Sequence, residues 1–171
     1  MRWKALPLFA LFLGLALPGS AKVGSILLDE MIDASDVVVV ARVDAVSRTF
    51  LFFGQRYARA QVLEVWKGEP GPEVQFLASP TWTCDISDAE SGETAVLFLK
   101  RSGSNYVIAQ SGRGRLPIRE IEGQLYGTIW PEVRLPAGAR TLPGPEPEFT
   151  FIQSVAVDYL RTFVARSLKS L

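Results

Sequence analysis

Four consecutive valines, Val37, Val38, Val39 and Val40, open the stretch Asp-Val-Val-Val-Val-Ala-Arg-Val-Asp-Ala-Val-Ser over residues 36–47. Successive side chains of a strand point to opposite faces, so an unbroken β-branched run has to be buried on both sides. From Val39 the pattern alternates, with Val39, Ala41, Val43 and Ala45 on one side and Arg42 and Asp44 on the other. That half reads as a strand buried on one face only.

The rest of the chain supplies partners for it. Residues 49–53 are apolar and β-rich, Gly54-Gln55 marks a tight hairpin, and residues 57–66 form the return strand. Residues 74–78, 94–99 and 106–110 are further predicted strands, separated by Gly- and Pro-containing turns and by a polar loop over 79–92. Short strands at this spacing argue a closed barrel or a sandwich. A short helix is expected over residues 25–33, with Ser25 as its cap. Residues 112–147 are rich in Gly and Pro, and only 116–118 and 124–129 look strand-like there. Residues 143–147 read as a linker. Beyond it the apolar period changes: Ile152, Val155, Tyr159, Leu160 and Phe163 recur at helical spacing, opposite Asp158, Arg161, Arg166 and Lys169. This predicts an amphipathic helix over residues 151–168 that lies on the barrel.

The first residues carry a different signal. Arg2 and Lys4 precede an apolar stretch over residues 5–17, followed by Pro18, Gly19, Ser20 and Ala21. A short positive segment, an apolar run and small residues before a cut are the marks of a secretory leader. The apolar run is shorter than the roughly 20 residues a membrane span needs. Cleavage after Ala21 and a secreted or periplasmic location are therefore expected. It removes two cations and no acid, so a chain with 18 Lys and Arg against 18 Asp and Glu becomes weakly acidic. A basic footprint for nucleic acid is missing. The remaining ~150 residues are enough for one domain with its own core.

Two scarcities narrow the chemistry. The chain has no His, which removes Ser-His-Asp and Cys-His catalysis, His-ligated zinc and a His switch together. It has one Cys, Cys84, so no intrachain disulfide can form. Carboxylate or Ser-Lys chemistry remains open to an enzyme, but no spacing marks such a pair. The expectation is a protein without catalytic residues, cofactor or metal.

The middle of the chain resembles a known family. Its order is a short helix, Asp36-Val37-Val38-Val39-Val40-Ala41-Arg42-Val43, a hairpin, and Val62-Leu63-Glu64-Val65-Trp66-Lys67-Gly68. Then come Val74-Gln75-Phe76, Cys84, and Gly92-Glu93 ahead of Val96-Leu97-Phe98-Leu99. Over residues 25–117 this resembles the netrin-like domain of the tissue inhibitors of metalloproteinases and their bacterial relatives. The resemblance implies a mainly β, α+β fold: a five-stranded OB-like Greek-key barrel with flanking helices. With it, residues 22–142 are read as the netrin-like domain and residues 143–171 as linker and C-terminal helix.

Animal members begin with Cys-x-Cys, whose amine and carbonyl chelate the protease zinc, and disulfides pin that end to the barrel. Here the matching position falls near Ala21 or Lys22 and carries no Cys, while Cys84 matches the loop cysteine. An α-amine of pKa roughly 7.7–8.0 can still ligate zinc. Ordering Lys22-Val23-Gly24 on binding costs on the order of 1–2 kcal/mol per residue. The resemblance thus leads first to a binding module for an extracytoplasmic protein and, as an alternative, to a metalloendopeptidase inhibitor acting through its N-terminal segment. Either way the expected contact surface is the barrel mouth, with Lys22, Val23, Phe50, Phe52, Phe53, Thr81, Trp82 and Cys84.

Other clusters read as local features. Asp85, Asp88, Glu90 and Glu93 look like a solvated acidic loop rather than a Ca²⁺ loop, since the EF-hand spacing and its turn glycine are missing. Ser111-Gly112-Arg113-Gly114-Arg115 could cradle an anion or be a flexible turn. Trp66, Trp82, Phe50, Phe52, Phe53 and Tyr57 could stack bases, but export and near-neutral charge argue against it.

Overall fold

The computed structural model describes residues 24–47, 54–144 and 152–169. The chain runs β1 (Ile26–Leu27), α1 (Leu28–Asp33), β2 (Val37–Val46), β3 (Tyr57–Lys67), β4 (Glu73–Leu77), β5 (Thr94–Ser102) and β6 (Asn105–Ile108). It continues through β7 (Arg115–Ile121), β8 (Gln124–Ile129), β9 (Val133–Arg134), β10 (Thr141–Pro143) and β11 (Gln153–Ala156) to α2 (Val157–Ser167).

Five strands close on themselves in the order β5-β2-β3-β4-β6, with β6 returning to β5. Every pairing in this ring is antiparallel except β4–β6, where Phe76 lies beside Tyr106 and Leu77 beside Val107. The result is the expected OB-like barrel within a mainly β, α+β chain. The turn after β3 comes so close to the start of β2 that a Cβ on Gly68 would sit 2.3 Å from the Asp36 carbonyl oxygen. Its φ of 80° adds a second reason for glycine there.

The valine run does what its pattern requires. Val37, Val39, Ala41 and Val43 point into the barrel, where they meet Ala58, Ala60, Val74, Phe76, Leu97 and Leu99. Val38 and Val40 point outward into a second core with Val96 and Phe98 from β5. That second core is covered by Leu28, Met31 and Ile32 of α1, by Leu116, Ile129 and Val155 of the outer strands, and by Leu160 and Val164 of α2.

The outer strands extend the barrel sheet from β5 in the order β7-β8-β11-β10. β7 and β8 are joined by Glu122 and Gly123, both at positive φ (51° and 78°), which is the left-handed pair a two-residue hairpin needs. β7 reaches Ile121, beyond the stretch expected from sequence, because Arg119, Glu120 and Ile121 pair with Tyr126, Leu125 and Gln124.

Both ends of the sequence reading shift. Ser25 does not cap α1. Ile26 and Leu27 pair with Val133 and Arg134 as a parallel strand, which moves the helix start to Leu28. The Leu27 N–H instead donates to the Glu30 carboxylate at 3.1 Å. At the other end of α1, the Ser35 hydroxyl and the Lys67 ammonium donate to the carbonyls of Met31 and Ile32, each at 2.7 Å. These are acceptors the last turn cannot satisfy itself. The C-terminal helix begins at Val157, and residues 153–156 are strand β11. Ile152 and Val155 fit a helical period, but the backbone of β11 is held on both sides, by β8 and by β10. Pro143 and Gly144 belong to this hairpin, since the Gly144 N–H donates to the Ile152 carbonyl at 2.9 Å. The rest of the expected linker, residues 145–147, lies outside the described residues.

α2 turns Val157, Leu160 and Val164 inward and keeps Asp158, Arg161 and Arg166 exposed, and Lys169, also exposed, lies just beyond its end. Arg161 fastens it across the outside of β3, pairing with Glu64 at 2.6 Å and lying over the Trp66 ring. No helix among the described residues is long and apolar enough to cross a membrane.

Candidate functional site

The loop between β4 and β5 is built around one carboxylate. Asp85 is 7% exposed and accepts from the Thr81 N–H at 2.8 Å, the Thr81 hydroxyl at 2.7 Å and the Ser87 N–H at 2.9 Å. Burial pushes its pKa up, but the hydrogen bonds from Ser87 and Thr81 outweigh that and hold the carboxyl below its ordinary value. Asp88 pairs with Arg56, and Glu93 pairs with Arg115 at 2.6 Å. Burial keeps the Glu93 carboxyl above its usual range despite Arg115.

The loop is a solvated acidic cluster only in part, since Asp88 and Glu90 are exposed while Asp85 is buried and Glu93 half-buried. Asp85 folds inward to organise the loop backbone, and Asp88 and Glu93 face separate cations. Among the described residues no three His, Cys, Asp or Glu side chains converge as a metal site.

The turn between β6 and β7 packs under this loop. Gln110 and Ser111 sit at φ 53° and 51°, and Gly112 at 87°. Left-handed backbone at a non-glycine residue costs roughly 1–3 kcal/mol, so surrounding contacts must hold it. They are present. The Ile86 N–H donates to the Ser111 carbonyl at 3.1 Å, and a Cβ on Gly112 would lie 2.3 Å from the Ser87 nitrogen.

Arg113 follows. It is only 5% exposed, donates to the carbonyls of Cys84 and Ser111, and reaches the Glu132 carboxylate at 3.5 Å. The reading of residues 111–115 as an anion cradle or a flexible turn is corrected by this geometry. Both guanidinium groups face protein acceptors, and the turn is locked against the loop above it.

Glu132 carries the connection to the start of the chain. Its backbone carbonyl accepts from the Ile26 N–H at 2.8 Å, while its side chain faces Arg113. The first described strand and the Cys84 loop are thus joined through two residues. A second tie comes from the β2–β3 hairpin. Arg56 pairs with Asp88 through its side chain and donates its N–H to the Ser79 hydroxyl at 3.2 Å. Arg56, just before β3, and the turn between β6 and β7 are thus both anchored to residues 79–88.

Of the expected contact residues, Thr81, Trp82 and Cys84 share this loop. Trp82 is 41% exposed, and its indole N–H donates to the Ser111 hydroxyl at 3.3 Å. Thr81 is exposed and Cys84 half-buried. Lys22, Val23, Phe50, Phe52 and Phe53 lie outside the described residues. Trp66, grouped with them by sequence, packs instead on the second core beneath Arg161.

Sequence reasoning passed over Arg56 and Glu132, and gave Arg113 the wrong direction. The glycines flanking Arg113 were the available signal, since they let the backbone approach closely enough for the cation to turn inward. Glu132 looks like any surface acid.

No protein-family model matches the chain, and no curated protein matches it.

Proposed function

We propose that this chain is an exported, netrin-like binding protein that acts by contact with another extracytoplasmic protein and without catalysis. The contact residues in this reading are Lys22, Val23, Phe50, Phe52 and Phe53 together with Thr81, Trp82 and Cys84 of the loop between β4 and β5. One observation carries this reading: the Ile26–Glu132–Arg113–Cys84 relay holds β1 and the exposed Trp82 loop in one fixed arrangement. An exposed indole on a loop locked from beneath is the kind of rigid anchor that dominates protein interfaces. The absence of His from the sequence agrees with a non-catalytic role.

The test is site-specific photo-crosslinking in a fraction of extracytoplasmic proteins. A crosslinker at position 82 should capture a defined protein, and one at exposed position 125 should not. Equal capture from both positions, or none from 82, overturns the reading.

A second reading, inhibition of a zinc endopeptidase by the mature N-terminus, is favoured by the anchoring of Ile26 only a few residues beyond the expected cleavage point. It requires inhibition by protein beginning at Lys22 that disappears when one residue is added before it. The absence of inhibition in both forms removes it.

A further inference from the structure

We propose that the turn between β6 and β7 is a strained latch: the Trp82 loop holds it in a left-handed form, and release of that loop lets it relax, turns Arg113 away from Glu132 and loosens β1.

Gln110, Ser111 and Gly112 take φ values of 53°, 51° and 87° in succession. Residues with a Cβ visit this region singly and rarely, so two of them in a row are not what the turn adopts unaided. Such residues persist where their surroundings hold them, and they gather at switches and clamps. The ends of the turn are pinned by β5. The Ala109 N–H donates to the Phe98 carbonyl at 2.9 Å, and the Phe98 N–H donates to the Gly114 carbonyl at 2.8 Å. While those bonds stand, a change of hand is confined to residues 110–113.

The clasp closes on Ser111. The Trp82 indole N–H donates to its hydroxyl at 3.3 Å, and the Ile86 N–H donates to its carbonyl at 3.1 Å. The first bond is long for an N–H donor, and its indole is exposed, so the clasp can be undone from outside. The Arg113 guanidinium donates to the same Ser111 carbonyl at 3.0 Å and to the Cys84 carbonyl, and it faces Glu132. When Ser111 changes hand its carbonyl swings away, and an acceptor that aims Arg113 at Glu132 goes with it. Glu132 in turn accepts from the Ile26 N–H through its own carbonyl. Small shifts are amplified where a packed element has two discrete arrangements, and this turn supplies one.

On the contact surface proposed above, the latch would report an occupied Trp82 to β1. The latch itself belongs to the free protein, so its failure leaves that reading standing, and the reverse holds too.

Amide hydrogen exchange in the free protein tests it. Gln110→Ala keeps the Cβ and its strain, whereas Gln110→Gly removes both. The glycine variant should slow exchange at the Ile86 and Arg113 amides about fivefold relative to the alanine variant. Trp82→Phe keeps a ring and removes the donor. It should speed exchange at Ile86, Arg113 and Ile26 by one common factor of about five, the scale of one neutral hydrogen bond. Unchanged β2 amides show that the fold is intact. Equal exchange in the two Gln110 variants overturns the proposal. So does Trp82→Phe if it speeds nothing, speeds Ile86 and leaves Ile26 as it was, or speeds β2 equally.

Discussion

The two cores of this molecule are built from different material. The barrel interior is lined largely by small residues, among them Ala41, Ala58, Ala60, Ala78, Ala89 and Ala95, with Phe76 as its one fully buried ring. The second core is filled by Leu28, Met31, Ile32, Phe98, Leu116 and Leu160. A five-stranded ring is narrow, and residues that point inward from opposite strands must share little space. The second core is a slab between a sheet and two helices, so its size is set by side-chain length. The barrel is also assembled from neighbours in sequence, whereas the second core draws on both ends of the described chain. The contact surface proposed above leans on both: Trp82 rises from a barrel loop, but β1 and Glu132 are placed by the second core.

The sharpest way to break this pairing is to empty one core at a time. In the barrel interior Phe76→Ala should cost about 3–5 kcal/mol, and in the second core Leu160→Ala about 2–5 kcal/mol, read by denaturant unfolding. In Leu160→Ala, hydrogen exchange should rise first in β7, β8 and β11, with β2, β3 and β4 still protected. Uniform loss of protection would show that the two cores unfold as one.

Next is the buried cation between the two regions. Arg113→Ala should destabilise by about 3 kcal/mol, because Glu132 loses its charge partner and the Cys84 and Ser111 carbonyls lose their donor. It should also raise exchange at the Ile26 amide, and a variant that leaves that amide protected would break the relay.

Smaller again is overpacking: Ala60→Leu should cost about 1–3 kcal/mol, since a narrow barrel has no room for three more carbons. A neutral result would mean that the interior is looser than its alanines imply.

The smallest effect is a pair of opposite pH responses in one loop. The Asp85 pKa lies below its unfolded value, so its contribution is present above that unfolded value, near 3.9, and is lost as pH falls through the folded one. The Glu93 pKa lies above its unfolded value, so ionised Glu93 weakens the fold, and stability is gained as pH falls through the raised pKa. Thermal unfolding from pH 7 to 3 should show Asp85→Asn flattening the acid loss and Glu93→Gln flattening the gain. Matching slopes in the two variants would reject the opposed signs.

Legibility in sequence followed the same division. Val37 to Val43 announced a strand with two buried sides turning into one, because strand period is a local property. The barrel followed from a succession of such strands. The outer sheet followed only in part: residues 116–118 and 124–129 read as strand-like, but β10 is three residues long, and β9, outside that sheet, is two residues long and forms only by pairing with the distant β1. Glu122-Gly123 was a readable hairpin signal that was passed over. The helix over 151–168 was drawn too long because i, i+3 apolar spacing does not distinguish a helical turn from a strand when tertiary pairing decides. For the site, Thr81 and Trp82 could be chosen from an exposed polar loop, but the inward turn of Arg113 depends on what lies beneath it.

The parallel pairing of β1 with β9 bears on the order in which the chain comes together. Ser25 and Arg134, which bond beside it, are 109 positions apart. The β2–β3 and β5–β6 hairpins can form as soon as their own residues are available, in about 1–10 μs. Strand β1 cannot complete its pairing until residue 134 has been made. β1 precedes every other described strand and is nevertheless among the last to settle, and the proposed recognition surface is completed only when synthesis of the barrel is already over.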